Sequence, residues 1–167
     1  MTRWTLIPLA ATLIGLSACG GATAANPTPS PPQVLLNPSQ LPGGPWETAS
    51  TGTARWPDLE QHLVPCGRRV IAPADAEVHY RVFRSDDTKV VELAVSGLDP
   101  TQAFKRFYAE CGAVGDVDSE PGPHHVATHD GKTEIATFTD THLIVISGTA
   151  PAETLNKIAA TARTQAS

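Results

Sequence analysis

Two pairs of short apolar-alternating runs, each pair closed by a two-residue polar turn, constrain this chain most. In the first pair, Glu77 to Arg84 sets Val78, Tyr80 and Val82 against His79, Arg81 and Phe83. Asp86-Asp87 turns the chain, and Lys89 to Val95 carries Val91, Leu93 and Val95 on one side. In the second pair, His125 to His129 and Lys132 to Phe138 meet at Asp130-Gly131, residues that accept the positive φ of a tight hairpin. A further run, Thr141 to Ser147, contains Leu143-Ile144-Val145-Ile146. Its apolar residues are continuous, which predicts a central strand covered on both faces.

Helical signals separate these strands. Asp99 is placed to cap a helix with Pro100 in its first position and Gln102 at the third. Phe104, Phe107, Tyr108 and Cys111 then share one face, and Gly112 supplies a stop. Earlier, Trp56-Pro57 opens a short helix with Leu59 and Leu63 one turn apart, ended by Pro65. A last helix begins near Pro151, with Leu155, Ile158, Ala159 and Ala162 as its apolar stripe. Ahead of all these, Leu35, Leu36, Leu41 and Trp46 stand among turn residues, as anchors of an entry segment laid on the domain. The order α-β-β-α-β-β-β-α predicts an α+β fold: an antiparallel sheet of about five strands with helices packed on one face.

The N-terminus is of another kind. Arg3 precedes a short apolar run, Leu6 to Leu16, too short to span a bilayer and flanked as a signal peptide is. It ends in Leu16-Ser17-Ala18-Cys19-Gly20, which resembles the lipobox of bacterial lipoproteins. That resemblance implies cleavage before Cys19, acylation of Cys19 with palmitate-like chains, and anchoring at the outer face of the cell membrane. At ~0.8 kcal/mol per buried methylene, two or more acyl chains hold a protein firmly. Residues 1–18 are then the signal peptide, and 19–33 a lipidated, Pro/Ala/Thr-rich tether. If extended, the tether lifts the next segment roughly 40 Å from the membrane. Residues 34–167 are left as one globular domain.

With Cys19 acylated, Cys66 and Cys111 remain, and outside the cytoplasm such a pair reads as a disulfide. The net charge is −5, and loss of Arg3 with the leader makes the mature chain more acidic still. Arg68-Arg69 is an isolated basic pair, so nucleic acid is not an expected partner.

The layout of the mature chain resembles a second family. Leu35-Leu36, Leu41-Pro42, an early Cys66, a strand pair, a Phe-rich helix ending in Cys111, three strands and a terminal helix look like the extracytoplasmic PknH-like sensor domains of actinobacteria. The resemblance implies sensing of a ligand or partner at the cell surface and assigns no residue roles.

The sequence carries no nucleophile elbow, zinc-protease helix motif, P-loop or dinucleotide fingerprint. No cofactor is expected. His125 and His129 share a strand face beside Lys132 and Glu134, with His142 on the next strand; imidazole and carboxylate there suit a transition metal, but solvent-facing histidines are the simpler reading. Asp116, Asp118 and Glu120 begin like a calcium loop, yet Pro121 stands where such a loop needs glycine. Phe104, Phe107 and Tyr108 suit either core or a pocket wall, and Trp46 and Trp56 suit packing on the core. The expectation is a non-catalytic, lipid-anchored sensor or binding domain. The alternatives are an accessory lipoprotein docked on a membrane-protein partner, and a hydrolase with an unrecognised site.

Overall fold

Asp130 adopts φ 48° and Gly131 φ 72°, so the second hairpin reverses within two residues, as its turn chemistry dictates. Asp86 takes the same left-handed φ of 48° in the first hairpin. The computed structural model describes residues 33–64, 76–111 and 124–167. Its strands are β1 (Glu47–Ala54), β2 (Val78–Ser85), β3 (Thr88–Val95), β4 (His124–His129), β5 (Lys132–Phe138) and β6 (Leu143–Gly148). Its α-helices are α1 (Pro100–Cys111) and α2 (Ala152–Ala166), and short 3-10 helices cover Pro38–Gln40 and Trp56–His62. Asp99 caps α1 as expected, its Oδ1 accepting the Gln102 N–H at 3.0 Å. Among the described residues no helix is long and apolar enough to cross a membrane.

The α+β class holds, with two corrections to its architecture. Among the described residues the sheet has six strands rather than about five, in the order β1-β2-β3-β6-β5-β4, with every pairing antiparallel. The extra strand, β1, is Glu-Thr-Ala-Ser-Thr-Gly-Thr-Ala and lacks the apolar alternation that marks a strand in sequence. It is held by its partner: Thr51 Oγ1 donates to the Tyr80 carbonyl at 3.0 Å, and Thr53 Oγ1 meets His79 Nδ1 at 3.0 Å. At Gly52 the Tyr80 ring closes over the backbone, where a Cβ would lie 3.2 Å from ring carbon Cε1. The expected opening α-helix is the 3-10 helix Trp56–His62, whose flanking bonds run from Asp58 N to Arg55 O and from Leu63 N to Glu60 O.

The helices also lie on both faces rather than one. On the first face, Trp56, Leu59, Leu63, Val64 and Phe104 pack against Val78, Val82, Val91, Leu93, Val95, Ala136, Leu143 and Val145. On the second, Leu155, Ile158, Ala159 and Ala162 of α2 join Leu36, Leu41 and Trp46 over Phe83, Val90, Ile135, Ile144 and Ile146. The entry segment therefore builds half of the second layer, and β6 is buried along its whole length between the two. Gln165 fastens the entry segment to the end of α2: its Nε2 donates to the Gln33 carbonyl at 2.6 Å, and its Oε1 accepts from Gln40 Nε2 at 3.1 Å.

Each face also buries a glutamate on an inner strand. Glu92 of β3 accepts the Leu36 N–H at 3.0 Å, and Glu134 of β5 accepts the Val64 N–H at 2.8 Å. Arg81, opposite Glu92 in the β2–β3 register, donates to the Leu36 carbonyl and, at 3.3 Å, to Asn37 Oδ1. The two segments that cross the sheet are thus held by charge-assisted bonds beneath them.

Candidate functional site

α2 turns a second, polar stripe sideways. Asn156, Ala160, Arg163, Thr164 and Ser167 recur at helical spacing beside the buried Ala159. Between this stripe and β5 lies a cleft of about 510 Å³, lined by Thr137, Asn156, Ala159, Ala160, Arg163, Thr164 and Ser167. The small side chains of Ala159 and Ala160 leave the space; a larger residue at either position would fill it.

The polar groups of the cleft are unequally occupied. Thr164 Oγ1 donates back to the Ala160 carbonyl at 3.1 Å, and Ser167 Oγ to the Arg163 carbonyl at 2.8 Å. Thr137 is 2% exposed, and its hydroxyl oxygen, itself covered, has no hydrogen-bond partner among the described residues. Arg163 is half-buried and forms no ion pair among the described residues. Its planar fork suits a carboxylate or phosphate in two-point contact. The described lining residues include no carboxylate, imidazole or thiol.

Elsewhere, burial alone pushes the Glu92 carboxyl up to about 7, against the opposing pull of the Leu36 N–H and the Arg81 charge. His142 is pushed down, first by burial and then by the charge of nearby His79.

The histidines named from sequence do not converge. His129 pairs with Lys132 at the turn end of the β4–β5 hairpin and contacts Asp130 at 3.1 Å. His142 lies just before β6, its carbonyl accepting the Thr139 N–H, at the opposite end of β5. Seven residues of strand separate the two levels, on the order of 23 Å. His125 stands between them in register, opposite Ala136. No cluster of three metal-binding side chains occurs among the described residues. Phe104 is core, 7% exposed, its ring 5.0 Å from that of Phe138. Trp46 and Trp56 are likewise buried, and the Trp46 indole N–H donates to the Pro42 carbonyl at 2.9 Å. Cys19, Cys66 and the acidic loop from Asp116 to Glu120 lie outside the described residues, as do the side chains of Phe107, Tyr108 and Cys111.

Sequence reasoning missed Thr137, Asn156 and Arg163. For Asn156 and Arg163 the only signal was a polar stripe beside the apolar one on α2, which most surface helices share; Thr137 lies on β5 and carried none. Arg81, Glu92 and Glu134 did carry a signal, as charges set inside strands otherwise rich in Val, Leu and Ile.

Comparison with models of protein families finds no match, and comparison with curated proteins finds none either. Among solved structures, the chain is similar to one described as a GTP binding regulator from Thermotoga maritima, at 11% identity and a TM-score of 0.46. The match covers 79% of this chain and 83% of that one, a likeness too distant to bear on ligand or activity.

Proposed function

We propose that this chain is a lipid-anchored, extracytoplasmic binding domain of the sensor type, non-catalytic, whose ligand is a small anionic molecule taken into the cleft between α2 and β5. The observation that carries the reading is a cleft of about 510 Å³ bordered by the half-buried Arg163, whose guanidinium has no ion-pair partner among the described residues. That volume lies within the range of small-molecule sites, and a few polar groups in a mainly apolar lining are their usual chemistry. The N-terminal lipobox supports the anchored location, and the layout shared with PknH-like sensor domains supports the sensing role.

The test begins with native mass spectrometry of the protein taken from its own membrane, to detect a retained small molecule. Thermal shift with short mono- and dicarboxylates and sugar phosphates then surveys the class. A saturable shift that Arg163→Ala abolishes is the expected result. No retained mass and no shift with any compound would refute the reading.

A further inference from the structure

The first face of the sheet carries a second concentration of polar groups, remote from α2. Lys89 is the second residue of β3, Lys132 opens β5, and Ser147 and Gly148 close β6 between them, followed by Thr149. In register, Gly148 of β6 pairs with Val90 on one side and Thr133 on the other, so the two lysines stand level on strands flanking β6. Their backbones are roughly 10 Å apart, within the joint reach of two lysine side chains. The end of the Trp56–His62 helix lies over them. Lys89 Nζ is 3.3 Å from His62 Nδ1, and Lys132 Nζ donates to the carbonyls of Gln61 and His62 at 3.3 and 3.4 Å. Ser147 Oγ donates to the His62 carbonyl at 2.7 Å. A small cavity of about 40 Å³ opens here, lined by His62, Lys89, Lys132, Ser147 and Thr149 with Val91 and Gly148.

Lys132 and Ser147 have structural work as caps of the 3-10 helix. Among the described residues Lys89 has no such work: its ammonium meets only the His62 imidazole. Neither lysine forms an ion pair among the described residues, although the chain as a whole carries a net charge of −5. Glu134, opposite Ser147 in register, is buried and turned to the Val64 N–H. Arg84, paired with Lys89 across the β2–β3 ladder, adds a further cation. The ammonium of Lys89 is pushed down by burial, then by Lys132 and Arg84; His62 is pushed down by burial, then by Lys89 and Lys132. Like charges drawn together, with no ion pair to either lysine among the described residues, make a positive potential that an anion relieves.

We infer that His62, Lys89 and Lys132 form a second site that binds one tetrahedral oxyanion, either inorganic phosphate or the phosphate of an esterified compound. Two ammonium groups approach it from opposite sides and the imidazole from above, while the Ser147 hydroxyl, its proton given to the His62 carbonyl, holds His62 in place. The site's size admits the phosphate group itself; any ester substituent points to solvent.

The test is calorimetric titration of the purified full-length protein with sodium phosphate against sodium chloride of equal ionic strength, with the His62 imidazole resonance followed in parallel by NMR. Saturable heat with phosphate alone, and a His62 shift that saturates with it, are expected. Lys89→Gln weakens binding roughly tenfold or more, the value of one charge-assisted contact, while Lys89→Arg retains most of it. Glycerol 3-phosphate distinguishes the sources: tighter binding than phosphate marks an esterified ligand, and equal or weaker binding marks the free ion. Absence of saturation in the wild type, the same response to chloride, or undiminished binding in a folded Lys89→Gln protein overturns the inference. The wild-type His62 titration decides the matter even where Lys89→Gln does not fold.

Discussion

The backbone N–H of Leu36 donates to Glu92 Oε2 at 3.0 Å, joining an entry segment to an inner strand 56 residues further along the chain. Glu92 is 1% exposed, and burial holds its carboxyl up to about 7 from an ordinary 4.5. A carboxyl with a higher pKa folded than unfolded takes up protons on folding. The stability it contributes is complete below the unfolded value and is lost as pH rises through the folded one. Raising the pH from 4.5 to beyond 7 should cost the protein about 3 kcal/mol through this group. Glu92→Gln should flatten that part of the profile. His62 and His142, both pushed down, act in the opposite sense, but they do so in both proteins, so the difference isolates Glu92. Urea melts at closely spaced pH values measure it, and parallel profiles would exclude Glu92 as the source.

Gly148 is needed for want of space. A Cβ there would run into the Lys89 carbonyl oxygen and lie 3.1 Å from the Val90 Cα, both on the backbone of β3. Neither can yield without parting β3 from β6. Gly148→Ala should lower stability by about 2 kcal/mol or more, read as a fall in the urea midpoint. An unchanged midpoint would mean that the ladder gives way more easily than its register implies.

Leu155 has no exposed surface and sits at the centre of the α2 layer. Leu155→Ala should cost roughly 2–5 kcal/mol. Lys157→Ala, on the outer side of the same helix, serves as a control and should leave the melt close to that of the wild type. Equal effects of the two would contradict the packing of the second face.

How much of this was legible beforehand differs by element. The hairpins were legible because Asp130-Gly131 and Asp86-Asp87 fix reversal locally. β1 was not, because Glu47 to Ala54 carries no apolar face and becomes a strand only by pairing with β2. The run Leu143–Ile146 already demanded cover on both sides. Which segments supply that cover depends on the path of Leu35 to Trp46, a long-range matter that alternation does not report. Of the candidate sites, the basic group near His62 comes from four separated stretches of chain, and only the strand register unites them.

The proposed Cys66–Cys111 bridge has a direct chemical test. Alkylation of the mature protein under denaturing, non-reducing conditions should label neither residue, and reduction should expose both. Loss of the bridge should cost about 2–5 kcal/mol. Labelling of both thiols without reduction would dispose of it.

Anchoring is tested at Cys19. Cys19→Ala should leave a precursor that the lipoprotein peptidase does not cut, or release the chain into the medium. A variant that is processed and partitions into detergent like the wild type would remove the lipobox from the account.

The Gln165 bridge decides how the domain meets mechanical load. A pull on the backbone at Gln33 is taken first by the end of α2, through the Gln165 amide. Next it reaches the Leu36–Glu92 bond on β3, which has two strands on one side and three on the other. Tension is thereby delivered to the interior of the sheet. The edge strand β1 lies further along the chain and is recruited only after those fastenings have parted.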